Sequence, residues 1–389
     1  MIVSRLFCIL FLLNLFNYID RQVLYAVFPL LQTDLHLSDG QLGALASAFM
    51  LVYMCYAPVM GYLADRFSRP KLISLSAFIW SIATLATGAA NHFAHLLFAR
   101  GFTGVGEGGF TTIAQPFLAE HYPKEKHALV LALFGLALPL GSALGYGLGG
   151  LVGQTWGWRM AFIVLSVPGV FLALLAWFLP DRALTQREKP SWTQYKKLLH
   201  CNPFLYVCFI QTAITFIMGG CAAWVPTYFV RYLHVTAAQT GVWFGSLMIV
   251  CGALGTFAGG KWAEKQLAYC AWAYYKVMAV ALVGSVLPLW LGLQCTHIGA
   301  ALAWFGLTVF FLFLPTGAIA AALVATSPAP VRATAFALNI FIIHLLGDTL
   351  SPVLIGLVSD VWNLKIAIII STFVSIPGLF FCRRVAKDS

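Results

Sequence analysis

The chain has 389 residues, of which 61% are hydrophobic and 9% charged, with a mean hydropathy of +0.87. Soluble domains carry about a quarter of their residues charged, so this composition excludes a soluble globule and implies a polytopic membrane protein. The formal charge of +10 does not point to nucleic acid, because its placement along the chain has another explanation, given below.

Twelve apolar segments run near 5–31, 40–63, 71–90, 94–119, 127–151, 158–179, 203–229, 238–261, 271–292, 298–324, 331–357 and 363–382. Each is long enough to cross a bilayer as a helix. The first lacks a small-residue cleavage site and carries Asp20 and Arg21, so it reads as a membrane helix rather than a removable signal. Most connections are short. The exception is polar and splits the chain into an N-terminal six-helix bundle (1–180), a cytoplasmic linker (181–202) and a C-terminal six-helix bundle (203–389). Trp192–Leu199 within it suits a short amphipathic surface helix. The nine cysteines are scattered, with no metal-site spacing and no disulfide framework, so they read as packing residues and no metal site is expected.

Orientation follows from the basic residues. With a cytoplasmic N-terminus, and Arg21 and Arg100 within the membrane, only Arg159, Arg231 and Lys365 fall outside. Both termini are therefore expected in the cytoplasm and the chain in the inner (plasma) membrane. The positive charge becomes a topology signal and a contact for anionic membrane lipids, and nucleic acid is not an expected partner. A faint internal echo links Gly61–Arg69 with Gly259–Lys265: glycine, an acid three to five residues on, then a base. A duplicated six-helix unit predicts two bundles facing each other across a midplane cavity.

The strongest chemical signal is Asn17-Tyr18-Ile19-Asp20-Arg21 in segment one. A charge deep in a bilayer costs at least ~2.5 kcal/mol, so it marks a partner or a task. Segment four supplies Arg100 and Glu107, seven residues apart and on one helix face. At ~1.5 Å per residue, Asp20 is level with the gap between them. Two acids and two bases at one depth fit either a permanent ion-pair network or a site where one acid takes up a proton during transport. In segment eleven, His344 and Asp348 share a face one turn apart, and Pro352 is expected to kink the helix. That pair is either a mutually satisfied lock on the second bundle or a gating contact. Asp65, Arg66 and Arg69, at the end of segment two, are candidate gate residues.

Two glycine patterns fail their context. Gly104-Val-Gly106-Glu-Gly108-Gly109 lies inside a membrane helix with no preceding strand, and Gly255 to Lys261 is followed by Trp262 where magnesium needs Ser or Thr. No ATP site and no cofactor are expected. Gly141, Gly145 and Gly149 form a ridge suited to a tight interface with the other bundle. Segments seven and ten offer Gln211, Thr212, Thr215, Trp224, Thr308 and Thr316 among Phe, Leu and Ile. A charged wall facing an apolar one suits an amphiphile.

These motifs together resemble the major facilitator superfamily, through Gly61–Arg69 and the 6+6 layout. Within it the chain resembles the Spinster family, which transports lysophospholipids and sphingosine phosphate. The resemblance rests on Asn17–Arg21, Arg100–Glu107, Thr112–Ala114, Pro139–Tyr146 and Ala333–Asn339 running on through His344–Asp348 to Pro352. It implies a proton-coupling role for Asp20 and Glu107 and a headgroup role for Arg21 and Arg100. Tyr18, Gln211, Thr215 and Trp224 are the further substrate-contact candidates. Organic-anion:proton symporters carry the same four charges, so these do not separate the two families. The segment 8–9 motif departs from the superfamily pattern, with Glu264 for the usual Asp. The expected protein is an all-α, twelve-helix major facilitator transporter, not an enzyme. It is expected to be a proton-coupled monomer moving a lysophospholipid or similar anionic amphiphile; the alternative cargo is a small organic anion. A membrane acyl-transfer enzyme using His344 and Asp348 lacks a nucleophile.

Overall fold

The computed structural model describes residues 4–123, 126–181, 198–267, 273–327 and 332–388. Most of the described residues are helical, and none of them lies in a strand. The helices are α1 (Arg5–Ala26), α2 (Phe28–Leu35), α3 (Asp39–Ala64), α4 (Arg69–Gly88), α5 (Phe93–Glu120), α6 (His127–Gly135), α7 (Ala137–Trp156) and α8 (Trp158–Trp177), then α9 (Asn202–Leu233), α10 (Ala237–Leu267), α11 (Ala273–Gln294), α12 (Ile298–Phe313), α13 (Thr316–Thr326), α14 (Arg332–Ile343), α15 (Ser351–Val361), α16 (Leu364–Ser371) and α17 (Ser375–Asp388). The surface helix expected over 192–199 falls outside the described residues apart from its last two, as do most of the linker and Cys270.

The helices account for all twelve expected segments, several of them broken. Segment one ends at Val27, and α2 restarts with Pro29 in its first turn, where a missing N–H costs nothing. His36 closes α2 in the left-handed conformation, and a Ser38–Gln41 capping box opens α3. Segment five bends at Leu136, segment ten at Leu314-Pro315. Gly157, at φ +87°, allows the abrupt turn from α7 into α8. Eleven of the segments are long and apolar enough to cross a membrane. The twelfth, α5, has 28 residues; Arg100, Glu107 and its run of glycines make it the most polar.

The chain forms two compact units: Met1–Gln186 with His234–Gly245, and Arg187–Leu233 with Ser246–Ser389. In the first, α3 packs on α5, α4 on α5 and α8, and α1 on α7. In a bilayer the drive is close van der Waals contact rather than escape from water, so small residues line the contacts. A Cβ on Gly106 would stand 2.5 Å from the Ser76 carbonyl, and one on Gly108 2.7 Å from that of Tyr53. The glycines that mimic a dinucleotide motif are helix contacts. The ridge of segment five also has a definite partner. Gly141, Gly145 and Gly149 meet Leu15–Ile19, Ile19–Gln22 and Val23–Ala26, so the ridge packs against α1 rather than, as expected, against the other bundle. Off the ridge, Gly147 and Gly150 lie against Gly241 and Ala237 at the start of α10. This seats α7 directly behind the Tyr18–Gln22 stretch.

In the second unit, α9 packs against α11 and against the helices of the last two segments. Gly255 and Gly259 lie against the backbone of Phe310 and Leu314. The near-miss phosphate loop is therefore packing as well. Ahead of Pro352 the helix widens into a π turn over His344–Asp348, and α15 starts with Pro352 in its first turn. The kink expected at the proline is taken up by that turn.

Candidate functional site

α1 and α5 bring the four charged residues of segments one and four together. Arg21 Nε donates to Glu107 Oε2 at 2.6 Å, forming an ion pair in which the Glu107 side chain is 0% and that of Arg21 14% exposed. Asp20 accepts a short hydrogen bond at Oδ2 from Thr84 of α4. Arg100 is fully buried and is an electrostatic neighbour of both Asp20 and Glu107.

Aromatic rings complete the enclosure. The Arg21 guanidinium lies 4.7 Å from the Tyr53 ring centroid and 5.2 Å from those of Tyr18 and Phe49. The Arg100 guanidinium lies 4.9 Å from the Phe49 ring, which therefore serves both cations. Ring faces stabilise desolvated cations without contributing a counter-charge. Tyr53 is hydrogen-bonded to Thr111 at 2.6 Å, and Thr111 donates to the Glu107 carbonyl at 3.0 Å. The acid-bearing turn of α5 is thereby tied to α3.

The charges are enclosed but only partly satisfied. Among the described residues, Asp20 Oδ1, Glu107 Oε1, Arg21 Nη2, and Arg100 Nε and Nη1 are buried without a hydrogen-bond partner, as are both amide atoms of Asn17. Buried polar groups are paired as a rule, so a cluster of exceptions calls for a functional explanation.

The other candidates fall elsewhere. Arg69 pairs with Glu120 and donates to the Ala64 carbonyl. Arg66 lies 3.5 Å from the Tyr62 ring, and Asp65 is an exposed C-cap of α3. In the second unit, Gln211 accepts from Asn339 at 2.8 Å. His344 Nδ1 lies 2.9 and 3.0 Å from the two Asp348 oxygens. Thr215 packs on Gly347. Trp224 is fully buried and donates to the Pro352 carbonyl at 3.0 Å. The hydroxyls of Thr212, Thr308 and Thr316 donate to carbonyls of their own turns.

Sequence reasoning missed Thr84, Phe49, Tyr53, Glu120 and Asn339. Thr84 alone left a trace: with Ser74 and Ser81 it forms a polar stripe at helical spacing along an apolar segment. Phe49 and Tyr53 look like any other apolar helix face.

A fold of this kind with a buried ionic centre is that of a multi-pass membrane transporter. The Major Facilitator Superfamily model matches residues 10–347, and the chain belongs to that superfamily. Within it, the chain belongs to the spinster family. It is 32% identical over 409 residues to Protein spinster homolog 1 of Xenopus tropicalis, covering 95% of this chain and 78% of that one. It is also 32% identical over 374 residues to the sphingosine-1-phosphate transporter SPNS2 of the same organism, covering 89% and 72%. The fold is similar to the crystal structure of a bacterial homologue of the human lysosomal transporter Spinster in its inward-facing, unoccupied conformation. That match has a TM-score of 0.86 and 21% identity, over 98% of this chain and 97% of that one.

Proposed function

We propose that this transporter carries a lysophospholipid or similar anionic amphiphile and that a proton travels with it. The observation that carries the reading is the Arg21–Glu107 ion pair, buried beside Asp20 and an Arg100 with two unpartnered nitrogens. Two carboxylates and two guanidiniums balance. A monoanionic headgroup entering among them leaves one buried negative charge in excess, and burying a net charge is costly. A proton on Glu107 or Asp20 restores neutrality. Protonating Glu107 also frees Arg21 to bind the incoming anion, which couples the two events through one side chain.

Arg21 and Arg100 are the headgroup ligands in this reading. Tyr18, on whose ring Arg21 rests, belongs with them. The amphiphilic tail is supported by the Phe-, Leu- and Ile-rich, charge-free composition of segments seven and ten, and by the lipid named for the SPNS2 relative. Gln211, Thr215 and Trp224 would contact the cargo, with Asp65, Arg66, Arg69, His344 and Asp348 in gating roles. The two six-helix halves, 1–180 and 203–389, would act as the bundles of an alternating-access cycle. The basic-residue asymmetry supports cytoplasmic termini, and in this reading the protein works as a monomer in the inner membrane.

The test is flux of a labelled lysophospholipid into proteoliposomes under a pH gradient of either sign. Flux that reverses with the gradient is the expected result. Flux indifferent to the gradient removes the coupling, and gradient-driven uptake of small carboxylates in place of the lysolipid turns the reading to an organic-anion symporter.

A further inference from the structure

Asn17 carries no charge, yet it has the least satisfied neutral side chain of the site. It is 0% exposed, and neither Nδ2 nor Oδ1 has a hydrogen-bond partner among the described residues. Its neighbour one turn back, Asn14, shows the ordinary arrangement, donating to the Phe134 carbonyl at 3.2 Å. The contrast matters because an unpaired buried amide is among the more costly groups a fold can hold.

Position places Asn17 in the site. It lies four residues before Arg21 and three before Asp20, on the same face of α1. Helical side chains lean toward the N-terminus, so Arg21 reaches back over the turn that begins at Asn17. The 5.2 Å approach of its guanidinium to the Tyr18 ring fits that direction. The opposite side of α1 is closed by Gly141 and Gly145, which meet Leu15, Tyr18, Ile19 and Gln22 but not Asn17. The amide therefore faces away from α7. On that face of α1, Arg21 Nη2 and Asp20 Oδ1 are likewise unpartnered, as are Arg100 Nε and Nη1 and Glu107 Oε1 of α5.

We propose that Asn17 is a substrate ligand that selects for an oxygen-rich anionic headgroup. Its Nδ2 donates to an anion oxygen that Arg21 and Arg100 hold by charge, while its Oδ1 takes a guanidinium N–H and fixes the fork. An amide offers both functions with no net charge, so it recognises the anion without disturbing the balance of two acids and two bases. The inference rests on the anionic-amphiphile reading and adds one ligand to it.

The decisive variant is Asn17→Leu, which keeps the branched outline of the side chain and removes both polar atoms. A structural amide, once lost, destabilises the fold. An amide kept unpaired for a ligand, replaced by an apolar group of the same shape, leaves stability unchanged or raised. The full chain in detergent, titrated with lysophosphatidylglycerol, gives both readouts. The expected result is a melting temperature in the absence of lipid equal to or above that of the wild type, with affinity about ten- to a hundredfold weaker, the loss of one hydrogen bond in a charged cluster. Asn17→Gln, which keeps the amide, should recover part of the affinity. A lowered melting temperature with unchanged affinity overturns the proposal. Unchanged affinity in a stable Asn17→Leu variant overturns it too. A wild-type protein that does not bind the lysolipid refutes the cargo reading itself, an outcome distinct from either.

Discussion

The polar clusters of the two units, Asp20, Arg21, Arg100 and Glu107 in the first and Gln211, Asn339, His344, Asp348 and Trp224 in the second, differ in kind. In the second unit the polar side chains find each other: Gln211 with Asn339, His344 with Asp348, Trp224 with the Pro352 carbonyl. What is left over there is neutral: the Thr227, Thr349 and Ser351 hydroxyls and one oxygen of Asn339. In the first unit the leftover atoms include, beside neutral ones such as the Asn17 amide, those of two acidic and two basic side chains, Asp20, Glu107, Arg21 and Arg100. A hydroxyl that lacks a partner costs little beside a charge that lacks one. The second cluster is one a fold can keep for its own stability. The first leaves atoms of charged side chains unpartnered among the described residues, and that is the costlier condition.

The largest expected effect tests that difference directly. Arg21→Met strands the fully buried Glu107, and breaking a buried pair from one side costs about 3–5 kcal/mol. Thermal unfolding in detergent should show a loss of that order. A variant as stable as the wild type means that Glu107 is already neutral in the folded protein, and the ionic description fails. Next comes Glu107→Gln, which keeps the shape and removes the titrating group. It should fold, and its lysolipid flux should no longer vary with pH. A pH profile identical to that of the wild type takes proton coupling away from Glu107.

How much of this was legible in the sequence follows from the same physics. Asp20, Arg21, Arg100 and Glu107 stood out because charge in an apolar segment is costly enough to be conspicuous. Their depths could be counted along two helices, and the structure joins Arg21 to Glu107. The supporting groups were silent. Phe49 and Tyr53 are ordinary in a membrane helix until the fold sets guanidiniums on their rings. Thr84 matters only because α4 lies beside Asp20. The glycines of segment five announced close packing but not its partner: a ridge of small residues specifies distance, not address, and the address proved to be α1. At Pro352 an irregularity could be foreseen from the proline, but not its form, a π turn over His344–Asp348 just ahead of it.

The second cluster supplies a smaller effect. The His344 and Asp348 side chains are 25% and 20% exposed. A double-mutant cycle with His344→Ala and Asp348→Ala should give a coupling of about 1 kcal/mol or less, the range of partly solvated pairs. Their removal should leave the pH profile of flux in place. If Asp348→Asn flattens that profile as Glu107→Gln does, the titrating site is shared and the contrast between the two clusters disappears.

The smallest effect lies outside the membrane segments, where Asp34 ties α2 to α8. Its Oδ2 accepts from Arg159 at 2.6 Å and from the Trp158 indole at 3.0 Å. Arg159 in turn donates to the Ala90 carbonyl at 3.3 Å. The hydrogen bond from Arg159, followed by that from Trp158, holds the Asp34 carboxyl below its ordinary value of 3.8. A carboxyl depressed in the folded state adds stability at pH values above its unfolded pKa, and that contribution is lost as the pH falls through the folded one. The stability difference between the wild type and Asp34→Asn should therefore be flat from neutral pH down to about 4 and shrink below it. The side chains of Asp34 and Arg159 are 46% and 38% exposed, so solvent screening limits the difference to less than about 1 kcal/mol, and added salt should reduce it further. A difference that grows on acidification would reverse the sign of the pair's contribution. One that ignores salt would mean that the Trp158 bond, rather than the ion pair, holds α2 in place.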